Sequence, residues 1–186
     1  MRQINEYIIS KSTKIYTIKA DDGNIRQIVK DELDRLGNEA DLNHIDVSKV
    51  TNMIGLFSAK KLNNLCLLYD YPKLNPNISS WNVSNVKNMR DMFYRCECFN
   101  CNISEWDVAN VEDMRYMFYY CECFNCNISK WDVSNVIDMY GMFYGCKKFY
   151  QNLHDWDVKN VQSYSYIFSD RMVKKKKYWP KAFPWE

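Results

Sequence analysis

Glycine and proline are scarce in this chain, with 5 and 4 residues among 186. That excludes collagen-like and linker-type low-complexity architectures, which need far more of both. The few glycines also form no phosphate-cradling loop, and no H-E-x-x-H metal motif is present. Histidine is rarer still. His44 and His154 lack an evident nucleophile partner, so a Cys–His centre is not expected. No apolar run reaches the roughly 18 residues of a membrane-spanning helix. The opening MRQINEYIISKSTK has no apolar core of signal-peptide length, which leaves either a cytosolic chain or one read after its leader is gone. Net charge is nearly absent at +2, and residues 171–186 hold +5 of it, leaving −3 on the rest. A body without a basic face argues against a nucleic-acid partner.

What the chain has in abundance is tyrosine (14), phenylalanine (9), methionine (9), cysteine (8) and tryptophan (6). They recur at a fixed interval. Trp81, Trp106, Trp131 and Trp156 are 25 residues apart, and Phe93, Phe118, Phe143 and Phe168 keep the same step. So do Val83, Val108, Val133 and Val158. A weaker copy, HIDVSKVTNMIGLF, precedes them, with Ile45 in the tryptophan column and an 11-residue insertion within 58–77. A period of this size predicts a solenoid, whose units bury their apolar sides only by stacking.

Two patterns fill each unit. In ISEWDVAN, Trp106 and Val108 alternate with Glu105 and Asp107, which predicts a short strand. In NVEDMRYMF, Val111, Met114, Met117 and Phe118 fall at helical spacing, with Asn110 and Asp113 placed as a capping box. Strand, turn, short helix and return is the layout of a leucine-rich-repeat coil. The expected fold class is an α/β solenoid: about five right-handed coils of short parallel strand plus short helix, with an N-terminal helical cap.

The repeats, of the form N-I-S-x-W-D-V-S-N-V-x-x-M-x-x-M-F-Y-x-C-x-x-F-N, resemble the BspA-like leucine-rich-repeat surface proteins, specifically the mycoplasma-lipoprotein-type repeat family. The resemblance covers roughly Ile25 to Phe168. It implies a non-catalytic solenoid on bacterial cell surfaces that binds other macromolecules, and it carries over no catalytic residue and no cofactor. It also implies that Cys96, Cys121 and Cys146, in one column, pack inside a turn.

Both ends of such an array need covering. Residues 1–41 are expected to form an N-terminal cap, with a strand in KIYTIKA and an amphipathic helix over 25–36 stopped by Gly37. Residues 42–168 form the repeats, and residues 169–186 a basic aromatic tail. Tail aromatics folding back over the last coil is the first expectation, and contact with an anionic membrane the weaker one.

Cys98, Cys101, Cys123 and Cys126 have no sulfur counterparts in the last coil, where Lys148 and Gln151 replace them. Three readings stay open: free thiols, coil-to-coil disulfides Cys98–Cys123 or Cys101–Cys126, and zinc held by thiolates. No metal is assigned. On the outward strand positions, Glu105, Lys130 and Asp155 form one column, and Asp107, Asp132 and Asp157 another. Each Asp is expected to accept a hydrogen bond within its own turn, with calcium the alternative. Asn85, Asn110, Asn135 and Asn160 are expected to form a ladder that satisfies backbone groups. The functional expectation is a protein-binding or adhesion module using the face of Glu105, Asp107, Lys130, Asp132, Asp155 and Asp157. Alternatives are an intracellular scaffold and a zinc- or disulfide-stabilised cysteine-rich protein.

Overall fold

The computed structural model describes residues 16–59, 68, 71, 73–168, 176–181 and 183. Element order is β1 (Ile18–Asp21), α1 (Ile25–Leu36) and β2 (Ile45–Lys49), with a three-residue 3₁₀ turn at Lys176–Tyr178. β1 pairs with β2 in parallel, Ile18 opposite Ile45. Helix α1 covers the span expected of it. Ile25, Val29 and Leu33 lie on its buried face, each burial contributing about 1.5–3 kcal/mol. Gly37 ends the helix at φ 86°, its N–H reaching the Leu33 carbonyl at 2.8 Å. Asp22, just before α1, reaches the 44–57 segment by accepting from the Thr51 and Asn52 amides at 2.7 and 3.0 Å.

The repeat units are built differently from expectation. No helix or strand forms between Ile78 and Phe168. Six reverse turns make the unit that starts at Ile103: Trp106 N–H reaches the Ile103 carbonyl, Val111 reaches Val108, Met117 reaches Met114, Tyr119 reaches Tyr116, Cys121 reaches Phe118 and Phe124 reaches Cys121. The helix expected over Val111–Phe118 is therefore corrected to overlapping turns. The strand expected at Trp106–Val108 carries no ladder.

The ladder lies on the supposed helix instead. Met89, Asp91, Phe93 and Arg95 donate to the Asp113, Arg115, Met117 and Tyr119 carbonyls of the next unit at 2.7–2.9 Å. Met114, Tyr116, Phe118 and Tyr120 repeat this toward Asp138, Tyr140, Met142 and Tyr144 at 2.7–3.0 Å. Parallel bridges join Asn52 to Asn88, Asn88 to Asp113, Asp113 to Asp138 and Asp138 to Ser163. Alternate amides thus point to the neighbouring unit while those between close turns on their own chain. To do so the backbone turns left-handed at Asp91 (φ 55°), Arg95 (60°), Tyr116 (55°) and Tyr120 (57°), each the third residue of a turn closed three residues back. Glycine fills the same columns one unit later, at Gly141 and Gly145.

Inside, the columns stack. Phe57, Phe93, Phe118, Phe143 and Phe168 follow one another at ring-centroid spacings of 5.4–5.7 Å, their ring planes nearly parallel. A second column, Phe99, Phe124 and Phe149, packs against the first, Phe93 and Phe99 being 3.8 Å apart. Each of the four repeat tryptophans is 4% exposed and keys into the preceding unit. Trp81, Trp106, Trp131 and Trp156 donate from Nε1 to the carbonyls of Leu42, Ile78, Ile103 and Ile128 at 2.9–3.2 Å.

The asparagine ladder expected from the sequence is present. Asn85, Asn110, Asn135 and Asn160 donate from Nδ2 to the Ser48, Ser84, Ala109 and Ser134 carbonyls at 2.7–2.8 Å. At the far end Trp179 stacks on Phe168 at 5.0 Å and Phe183 on Tyr164 at 4.8 Å. The described part of the tail thus folds back over the last unit. The rest of the tail, most of the insertion and residues 1–15 lie outside the described residues.

Candidate interaction surface

Because the ladder runs along residues 88–95, 113–120, 138–145 and 163–168, residues between its buried Met, Phe and Cys positions supply an outer face. Seven of them are tyrosines, none fully buried: Tyr94, Tyr116, Tyr119, Tyr120, Tyr140, Tyr144 and Tyr166. Tyr94, Tyr119 and Tyr144 form a stacked column at 4.8 and 5.4 Å. Tyr116, Tyr140 and Tyr166 meet edge-on at 5.2 and 5.7 Å. Tyr116, Tyr119, Tyr140, Tyr144 and Tyr166 line a depression of about 230 Å³. Tyr166 is its most open wall, at 66% exposure.

The missing Cβ atoms of Gly141 and Gly145 make room for this packing. A Cβ at either position would come within 2.8 Å of the Tyr116 or Tyr120 ring. Arginines edge the face. Arg95 lies over the Tyr94 and Tyr120 rings at 5.8 and 5.5 Å. Arg115 binds Asp113 at 2.6 Å and reaches Asp138 of the next unit at 3.5 Å. Burial, with Tyr140 beside it, pushes the Tyr116 hydroxyl above its ordinary pKa, and burial does the same for Tyr119. Both hydroxyls are neutral hydrogen-bonding groups at physiological pH. The sequence reading missed this face, placing these residues on a helix. The signal was the tyrosine count itself.

The face expected from the sequence is also exposed: Glu105, Asp107, Lys130, Asp132, Asp155 and Asp157 all point to solvent. As expected, the aspartates are occupied locally. Asp107, Asp132 and Asp157 accept the backbone N–H two residues on, from Ala109, Ser134 and Lys159, at 3.0–3.2 Å. Those Ser134 contacts hold the Asp132 carboxyl below its ordinary pKa. Asp155 lies beside His154 at 3.1 Å and Lys181 at 3.6 Å. His44, for which the sequence offered no partner, meets the buried Glu32 at 2.9 Å. A second depression of about 600 Å³ follows the asparagine ladder, between Lys87, Glu112, Ile137 and Gln162.

None of the seven described cysteines is joined in a disulfide, and among the described residues no cluster of three or more His, Cys, Asp or Glu is arranged for a metal ion. Cys66 lies outside the described residues. Cys96, Cys121 and Cys146 are buried and donate to the carbonyls of Phe57, Phe93 and Phe118 at 2.9 Å. Burial pushes the Cys121 and Cys146 thiols far up, so they stay protonated. Cys101 and Cys126 accept from the Ile78 and Ile103 amides at 3.4 and 3.3 Å, while Cys98 and Cys123 are half-exposed.

No described helix is long and apolar enough to cross a membrane. No curated protein matches the chain, and no solved structure does. A family model described as "Mycoplasma protein of unknown function, DUF285" matches residues 64–179, which contain the tryptophan repeats and the tyrosine face. On that match, over more than half its length, the chain belongs to the DUF285 family.

Proposed function

We propose that this chain is a non-catalytic repeat protein, a capped solenoid that binds a protein partner at a bacterial cell surface. The observation that carries the reading is the tyrosine face. Tyrosine and arginine are the residues that interfaces enrich, because they offer large contact area, a polar tip and little rotamer entropy to lose. Here the rings already stack on one another across three units, so binding costs little further ordering. The cell-surface setting rests on the resemblance of the W-D-V-S-N-V repeats and on the family's mycoplasma description.

The acidic columns make a second surface, but Asp107, Asp132 and Asp157 already serve their own turns. They contribute charge at the rim rather than anchors. The test is capture of surface-exposed proteins from mycoplasma cells by the purified chain, quantified by mass spectrometry. A parallel capture uses Tyr119→Ala/Tyr144→Ala/Tyr166→Ala, checked for an unchanged far-ultraviolet spectrum. Partners bound by the wild type and lost, at least tenfold, by the variant support the reading. Equal capture by both, with loss on reversing Asp107, Asp132 and Asp157, moves the site to the acidic columns.

A further inference from the structure

We propose that Cys98 and Cys123 form a thiol pair that closes to a disulfide between neighbouring units when a low-molecular-weight disulfide oxidant is present. The two residues sit one repeat apart in the same column. The Cys123 amide donates to the Glu97 carbonyl at 2.9 Å, so the peptide groups leading into the two cysteines lie directly over one another. Phe99 and Phe124, the next residues along, confirm the register by stacking at 6.0 Å. Paired chains in this arrangement run about 4.8 Å apart, inside the Cα window of about 4.4–6.8 Å that a disulfide spans. Both side chains are half-exposed, and both sit in turns.

The other columns lack one or more of these features. Cys96, Cys121 and Cys146 are buried and donate their thiols to carbonyls. Cys101 and Cys126 are engaged by the Ile78 and Ile103 amides, and Cys126 is buried. In the unit beyond, Lys148 takes the place of a third cysteine, and its Nζ lies 3.8 Å from Cys123 Sγ. A cation beside that sulfur assigns the attacking role to Cys123.

The reaction is thiol–disulfide exchange. Cys123 Sγ, having released its proton to water, attacks one sulfur of glutathione disulfide and expels one glutathione thiolate, leaving a mixed disulfide. Cys98 then loses its proton and attacks Cys123 Sγ, and the second glutathione thiolate departs. Two protein thiols are oxidised by two electrons, and one glutathione disulfide is reduced to two thiols.

The test incubates the full, reduced chain with glutathione disulfide near neutral pH, then alkylates and weighs it. The expected product has lost two hydrogens, takes two fewer alkyl groups and melts at a higher temperature, because the bond closes a 25-residue loop. Cys101→Ser/Cys126→Ser forms the same product. Cys98→Ser stops at a glutathione adduct on Cys123. A wild-type chain that keeps every thiol overturns the proposal. So does a two-hydrogen loss that survives Cys98→Ser or vanishes in Cys101→Ser/Cys126→Ser, and so does a melting temperature unchanged or lowered by the bond.

Discussion

Replacing Trp106 with alanine should destabilise the protein by about 3–5 kcal/mol, the range for removing a buried large aromatic side chain. The indole is 4% exposed and faces Phe93 at 6.4 Å. Its Nε1–H also donates to the Ile78 carbonyl of the preceding unit at 3.2 Å, the second bond on an oxygen that already accepts the Trp81 amide at 3.1 Å, and losing one such bond costs about 0.5–1.5 kcal/mol. These terms overlap, so the upper half of the range is expected. Against a total stability of about 5–15 kcal/mol for a typical domain, one substitution removes a large fraction. Trp106→Phe keeps most of the apolar volume and loses one hydrogen bond to an oxygen that keeps the Trp81 amide, so it should cost about 0.5–1.5 kcal/mol. Equilibrium urea unfolding, followed by far-ultraviolet circular dichroism, measures both. A loss below about 1 kcal/mol for Trp106→Ala would refute the keying of each unit into its predecessor.

Gly145→Ala should cost about 2–4 kcal/mol, combining a left-handed φ of 78° with a Cβ driven to 2.8 Å from the Tyr120 ring. In a Tyr120→Ala background the steric part should vanish, which thermal melts of the four-variant cycle will show. Asn135→Ala removes the Nδ2–H bond to the Ala109 carbonyl and should lower stability by about 1 kcal/mol in urea titration. Hydrogen bonds from Ser48 and from Ser134 depress the folded-state pKa values of Asp46 and Asp132. Their stabilisation is therefore complete above the unfolded carboxylate pKa of about 3.9 and disappears as pH falls through the folded values. Melting temperature should drop across that acid window, and Asp132→Asn should flatten the drop.

Much of the fold was readable from spacing. The 25-residue step gave the stacked columns of Trp106 and Phe118, and the pattern of Ile25, Val29 and Leu33 gave helix α1 with Gly37 as its stop. The asparagine ladder and the aspartate turns were legible because Asn and Asp have few other uses at a tight turn. The tyrosine face was not. Val111, Met114, Met117 and Phe118 are spaced by three and one, which fits a helix. Consecutive turns closing three residues back produce the same spacing of inward side chains. The difference is where the intervening amides go, to the residue four back or to the next unit, and no single unit's sequence encodes that. Asp113, read as a helix-capping partner, instead accepts the Arg115 amide at 3.0 Å within its own turn.

The destination of those amides is also the most direct test. Trans-hydrogen-bond scalar couplings, measured by solution NMR on the deuterated chain, identify the acceptor of each N–H. Couplings from Phe118 to the Met142 carbonyl and from Tyr120 to that of Tyr144 are predicted, because those contacts, at 3.0 and 2.7 Å, build the face that carries the tyrosines. A coupling from Phe118 to Met114, four residues back, would restore the helix and contradict the account.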